Sequence, residues 1–348
     1  MASPLQGALR AYRAGGADLP FGDPLAYHGV AMEGYFWRIT DPASGRVVIA
    51  LIGVNRAADS HWATLGLAGY PNQFLRTVAY PEATADWQQL GASAGDAFVA
   101  GLDQVKVDLG TDAQLELKID SPGPWPRRVL GGSSIFQSVP ALNQYWHPWL
   151  LGGSASGSAR LGDDLWEFEG AQVYAEKNWG KGGFPPAWWW GQAQGFAEPQ
   201  VCVAFAGGII EPGPLSVEVT AIVVLLPDGT LIRLGDPGFS PVQAEVGDEH
   251  WRLSGRSAKR CVAINLNLPA GAAHVLPVPL PAERRNVPGA IEHLGGQMHV
   301  TVRRHGRVHW RGTSELAALE HGGIDRARAE VTRRGGAADA ADAAAIEA

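Results

Sequence analysis

The sequence predicts an all-β protein of antiparallel strands, folded as a sandwich or barrel. Three observations predict it. Short runs alternate apolar with polar residues, as half-buried strands do. Gly and Pro, 45 and 24 of 348 residues, punctuate those runs with turns. No helical periodicity of three turns or more appears before about Gly323.

Residues 1–30 read as an irregular lead-in with at most one short helix. From Glu33, EGYFWRIT and RVVIALIGV form a hairpin around a loop at Asp41–Gly45. LDQVKVDLG and LELKID alternate as strands, and SPGPWPRR reads as a loop. SGSARL and LWEFEG make a hairpin around Gly162–Asp164, and LSVEVTAIVVLL and TLIRLG a third around Pro227–Gly229. HWRLSGRS, CVAINLNL, QMHVTVRR and RVHWRG add strands, with His305–Gly306 as the tight turn between the last two. IDRARAEVTRR is a candidate helix, and the Ala-rich end reads as a low-complexity, disordered tail. The expected division is a lead-in over 1–30, a first β half over 31–205, a second over 206–322, and a helix and tail over 323–348, with the seam near 195–215.

A net charge of −7 argues against nucleic acid as a partner, because phosphate recognition needs a basic face. The two cysteines have no metal-ligand or disulfide spacing, and the ten histidines show no HExxH, so neither metal nor cofactor is expected. There is no P-loop, GxSxG or GxGxxG before a helix. With no apolar run of signal-peptide or membrane-span length, the expected location is the cytoplasm.

One segment stands apart. YAEKNWGKGGFPPAWWWGQAQGF, Tyr174–Phe196, holds four of the thirteen tryptophans. Strand alternation puts Tyr174, Glu176 and Asn178 on one face, and Ala175, Lys177 and Trp179 on the other. Likewise Trp188, Trp190, Gln192 and Gln194 share a face opposite Trp189, and Glu33, Tyr35 and Trp37 a face opposite Phe36 and Arg38. Aromatic rings mixed with carboxyl and amide groups fit a ligand-holding cavity better than a dry core, although any single Trp most often packs in a core. YWHP adds Trp146 and His147; a lone histidine is more often structural than catalytic.

These residues resemble the tocopherol cyclase family. The match rests on the Glu-Lys-Asn-Trp-Gly run, the Phe-Pro and the Trp-rich stretch ending in Gln, on MEGYFWRITDP at Met32–Pro42, and more weakly on WHPWLLGGSASGSARLGDDLWEFEGA. The chain departs from the plant pattern in being shorter between Asn55 and Pro124 and in its Ala-rich tail. The resemblance implies two lipocalin-like antiparallel halves and a cofactor-free ring closure of a prenylated hydroquinone: an acid protonates the side-chain alkene, and the phenol oxygen captures the tertiary cation. Under it Glu176 is the first candidate acid and Glu33 the second, His147 or Asn178 would orient the phenol or take its proton, and Trp179, Trp188 and Trp190 would stabilise the cation. Tyr35, Trp37, Trp146 and Gln192 complete the expected substrate site. A lipid substrate implies transient contact with a membrane surface, without a visible basic amphipathic anchor. The competing readings are a carrier of a hydrophobic isoprenoid, which needs only the aromatic wall, a hydratase in which water captures the cation, and a carbohydrate-binding sandwich.

Overall fold

Two curled antiparallel sheets account for nearly all of the chain, in a computed structural model that describes residues 4–19, 27–58, 60–86, 88–126, 130–211, 214–269 and 273–337. The first sheet holds β1 (Met32–Asp41), β2 (Arg46–Arg56), β3 (His61–Tyr70), β4 (Leu75–Tyr80), β5 (Thr84–Ala85), β6 (Ala92–Ala94), β7 (Phe98–Ala100), β8 (Gln104–Asp108), β9 (Ala113–Pro124), β10 (Tyr145–Leu161) and β11 (Asp164–Gly180). The second holds β12 (Trp188–Ala193), β13 (Cys202–Ile210), β14 (Val217–Leu225), β15 (Leu231–Leu234), β16 (Val242–Val246), β17 (His250–Arg256), β18 (Arg260–Asn267), β19 (His274–Leu280), β20 (Arg285–Arg304) and β21 (Arg307–Gly322). Helices α1 (Pro4–Ala14) and α2 (Ile324–Arg333) flank them.

The sheets share a topology. In the first, β1 to β4 run in sequence, and β5 to β11 return so that β11 pairs with β1. In the second, β12 to β15 run in sequence, and the later strands return so that β21 pairs with β12. This is the lipocalin-like pair of all-β halves expected above. Each sheet wraps its own core. Tyr35, Trp37, Phe98, Trp149 and Val173 fill the first. Trp189, Phe205, Trp251 and Ile264 fill the second. A third apolar cluster joins the sheets, with Val47, Ile49, Trp146 and Tyr174 from one and Trp188, Trp190, Val223 and Leu294 from the other.

The expected hairpins at Asp41–Gly45, Gly162–Asp164, Pro227–Gly229 and His305–Gly306 are present, and α2 occupies the expected late helix. Four features differ. The chain changes sheet between Gly180 and Trp188, ahead of the boundary set at residue 205, which falls inside β13. The cause is local: Gly183 takes φ +93°, and Pro185 and Pro186 have no N–H to offer a ladder. α1 is a helix of 11 residues, about three turns, in the lead-in where at most one short helix was expected. The run read as a loop from Ser121 is still strand as far as Pro124. β19 escapes the alternation rule because it carries Pro277 and Pro279, which a strand paired only with β20 tolerates. The Ala-rich tail from residue 338 lies outside the described residues, as does part of the Glu211–Pro214 turn.

Arg38 ties the halves together. Its side chain is fully buried and donates to Thr40 Oγ1 on its own strand, to Gln192 Oε1 on β12, to the Leu294 carbonyl on β20 and to the Leu316 carbonyl on β21. Burial lowers its pKa to about 10, so it remains a cation at neutral pH. Arg38→Ala relieves one buried charge but strands three acceptors of the second sheet and opens a cavity. The second effect wins, because each stranded acceptor costs about 1–3 kcal/mol. Urea unfolding is therefore expected to show a loss of about 3 kcal/mol or more; a loss below about 1 kcal/mol would show that the tie contributes little.

Candidate active site at the junction of the two sheets

The register of β1 on β11 sorts the candidate residues onto two faces. Gly34, Phe36 and Arg38 lie opposite Asn178, Glu176 and Tyr174, while Glu33, Tyr35 and Trp37 lie opposite Trp179, Lys177 and Ala175. The first set faces the junction between the sheets and the second faces away from it.

Glu33 is therefore not beside Glu176. Its carboxylate accepts from Lys177 Nζ at 2.7 Å and from the backbone N–H groups of His28 and Gly29. His28 lies 3.0 Å from Lys177 through Nδ1 and 2.8 Å from Asp18 through Nε2. Burial works against the Glu33 charge, but the Lys177 ammonium and these donors outweigh it and hold the carboxyl below its usual pKa. An ionised carboxylate clamped to a lysine makes a poor acid. The cluster pins the lead-in: Trp179 donates to the Gly16 carbonyl and stacks between His28 and Tyr145.

The structure thus takes several expected residues away from the site. Trp37 fills the first sheet's core and donates to the Gly101 carbonyl, while Tyr35 belongs to that core and also borders the cavity at the junction. Trp179 belongs to the small core under the lead-in. His147 lies opposite Lys177 on β10, accepts from the Gly132 N–H, and is lowered to about 3 by burial, so it is neutral and weakly basic. Gln192 sits at the junction but serves Arg38.

Glu176, Asn178, Trp146, Trp188 and Trp190 do converge. They line one cavity between the sheets, together with Phe36, Leu51, Phe184, Ala206, Leu276, Ala290 and Glu320. Its volume of about 180 Å³ is more than ten times the ~10–15 Å³ that one buried water needs on the same measure. Gly34 leaves room for the Asn178 amide, because a Cβ there would lie 2.6 Å from its oxygen. Gln144 donates to that same oxygen.

Glu176 is the chemical centre of this cavity. Three donors converge on its Oε2: Tyr174 Oη at 2.6 Å, Trp146 Nε1 at 2.7 Å and Trp190 Nε1 at 2.7 Å. A proton on this carboxyl therefore sits on Oε1, since an acceptor with three donors is the carbonyl-type oxygen. Burial raises its pKa to about 7, and the three hydrogen bonds offset part of that rise. Trp190 comes from the second sheet, so the acid's environment is built by both halves. Phe36 meets the Trp190 ring edge-on, with centroids 5.3 Å apart.

Two further acids were not singled out from sequence. Glu320 on β21 lines the cavity and accepts from Trp188 Nε1. Burial raises it to about 7, with the Glu176 charge adding to the rise. Glu292 lies opposite Glu320 across the β20–β21 ladder and is raised further by burial and by Glu320. The available signal was an acid inside an apolar run, as in LAALEHGG. Among the described residues no group of His, Cys, Asp and Glu is placed to hold a metal ion, and no helix is long and apolar enough to cross a membrane.

Comparison with known proteins places this geometry in context. The chain is 29% identical over 197 residues to a probable chloroplastic tocopherol cyclase of rice, Oryza sativa subsp. japonica, over 53% of this chain and 41% of the rice protein. It is 28% identical over 206 residues to the chloroplastic tocopherol cyclase of Zea mays, over 56% of this chain and 43% of that one. It thus spans less than half the length of these curated relatives. Among solved structures, CghA with Sch210972 shares the fold at TM-score 0.61 and 13% identity, covering 88% of this chain and 93% of that one. Kievitone hydratase from Nectria haematococca does so at TM-score 0.51 and 11% identity, covering 84% and 89%. The family described as tocopherol cyclase-like matches residues 111–323, a span that includes β11, β12 and β21 and hence Glu176, the Trp stretch and Glu320; the chain belongs to that family.

Proposed function

We propose that the protein is a cyclase that closes a chromanol-type ring on a prenylated hydroquinone, with Glu176 as the proton donor. The observation that carries this reading is a fully buried carboxyl, without a cationic partner, on the wall of an indole-lined cavity. An alkene is a very weak base, so its protonation needs a well-placed acid and an enclosure that keeps water from the cation. Burial supplies the first by keeping Glu176 protonated near neutral pH. The apolar walls supply the second, and the indole rings of Trp146, Trp188 and Trp190 each offer about 2 kcal/mol or more to a desolvated cation. The protonated alkene becomes a tertiary carbocation, the ring oxygen forms the C–O bond, and its proton leaves. Asn178 is a neutral hydrogen-bonding group on the cavity wall and would orient that hydroxyl. A carrier needs the wall without the acid, so the unpaired carboxyl favours an enzyme. The lipid character of such a substrate also fits delivery from a membrane surface.

Incubation with prenylated hydroquinones is expected to yield a product of unchanged mass; a product heavier by one water would identify a hydratase instead. Glu176→Gln is expected to lower turnover by about 10²-fold or more with little change in quinol affinity, and wild-type turnover in that variant would remove Glu176 from the role. Trp190→Leu is expected to weaken both binding and cyclisation, since it removes a ring from the wall and a donor from the acid.

The protonation state has its own signature. Turnover should fall above pH about 7 as Glu176 ionises. Stability follows the same sign. A carboxyl raised from 4.5 in the unfolded chain to about 7 contributes stability that is fully present below pH 4.5 and lost as pH rises through 7. The loss is on the order of 3 kcal/mol. Urea unfolding from about pH 5 to about pH 8 should show that loss in the wild type and a smaller one in Glu176→Gln. Equal pH slopes in the two proteins would mean that Glu176 is already ionised at the lower pH.

A further inference from the structure

The two halves are related in topology, and the relation extends to the acids. β11 is the last strand of the first sheet and pairs with its first strand, β1, where Glu176 lies opposite Phe36. β21 is the last strand of the second sheet and pairs with its first strand, β12, where Glu320 lies opposite Trp190. Phe36 and Trp190 meet edge-on, and Arg38 and Gln192, two residues further along each strand, bond to one another. Leu51 and Ala206, the next-strand partners of Phe36 and Trp190, both line the cavity. Glu176 and Glu320 thus hold equivalent positions about a pseudo-two-fold at the junction and open into one cavity. Each also accepts an indole N–H, from Trp190 and Trp188 respectively.

We propose that Glu320 is the proton acceptor of the same cyclisation, taking the hydroxyl proton of the attacking ring oxygen while Glu176 supplies the alkene proton. This rests on the cyclase reading and assigns its second proton transfer. The Glu176 O–H bond breaks as a C–H bond forms on the alkene. The ring oxygen then forms the C–O bond, its O–H bond breaks, and the Glu320 carboxylate receives that proton. Passing one proton from Glu320 back to Glu176 restores the starting state, so no co-reactant is consumed.

Two carboxylate charges in one cavity repel, and the Glu176 charge raises Glu320, so the two protons leave in separate steps and the singly protonated pair offers one acid and one base. Glu292 reinforces this. It is fully buried opposite Glu320, and neither carboxyl oxygen has a hydrogen-bond partner among the described residues. It is therefore a neutral acid beside the pair rather than a compensating charge. Ionisable groups on the junction face of the surrounding strands include Tyr174 of β11, Arg38 of β1, Cys202 of β13 and His274 of β19, and Arg38 is the cation among these; Lys177 of β11, Glu33 and Tyr35 of β1, His293 of β20 and His321 of β21 alternate onto the opposite faces.

Glu320→Gln is the informative variant, because the amide oxygen can still accept from Trp188. With an active wild type, kcat should fall by about 10²-fold at constant KM, and the rising limb of a bell-shaped pH profile should disappear. Glu320→Asp should keep both limbs at lower amplitude. Infrared titration of the buried carboxyls tests the pair without substrate: in Glu320→Gln, Glu176 should titrate at lower pH than in the wild type. An unchanged pH profile in Glu320→Gln, or an unmoved Glu176 titration, overturns the assignment while leaving Glu176 as the donor. A wild type that cyclises no prenylated hydroquinone overturns the cyclase reading, and the role of Glu320 with it.

Discussion

The pleat of β11 separates an acid from the base beside it in sequence, and the site depends on that separation. Glu176 and Lys177 are consecutive, so they point to opposite faces of the sheet. Lys177 goes to the face where Glu33 and His28 await it. Glu176 goes to the junction, where three neutral donors meet it. A buried carboxylate beside a lysine stays ionised, whereas a buried carboxyl without a cation stays protonated. A one-residue slip of β11 on β1 would put the ammonium among the indoles and the acid against Glu33. The ion pair thus anchors the lead-in and also keeps a cation away from the cavity.

The position of the cavity follows from the two-sheet design. Each sheet fills its own interior with residues of one parity. Residues of the other parity meet at the junction, where two convex surfaces cannot match perfectly. Arg38 closes the contact at one point by bonding three strands of the second sheet. Away from it the surfaces part, and Gly34 and Ala206 leave space that larger side chains would fill.

Alternation explains what was legible in the sequence. It grouped Tyr174 with Glu176 and Asn178, and Trp188 with Trp190; Glu176, Asn178 and both indoles share a cavity, and Tyr174 donates to Glu176 at its edge. It also grouped Glu33 with Tyr35 and Trp37, and that face fills a core and an ion cluster instead. Parity tells which side chains share a face but not whether that face meets a core or a junction, and here both are buried and aromatic. Glu320 and Glu292 were silent for a related reason. Their runs carry no unusual density of aromatics, and only the return of β21 onto β12 brings them to the Trp wall. The sheet boundary was misplaced because the end of the Trp-rich segment and the EPGP run at 211–214 looked more like a seam than a Gly-Pro break a few residues long.

The three donors on Glu176 look at first like a poor arrangement for an acid, since hydrogen bonds to a carboxylate lower its pKa. Their value lies in what happens when the proton leaves. Hydrogen bonds to an ionised acceptor are roughly twice as strong as those to a neutral one. Tyr174, Trp146 and Trp190 therefore hold the carboxylate more tightly than the acid, and in the proposed proton transfer their contribution would grow as charge develops. Burial alone would keep the carboxyl protonated but unwilling to release its proton to a weak base. Donors alone would leave it ionised. The combination holds it near pH 7, where it is largely protonated below neutrality and its conjugate base is already solvated by fixed dipoles. Two of those dipoles are indole N–H edges, so in the proposed cyclisation the rings that stabilise the charge left on Glu176 would belong to the wall that faces the cation.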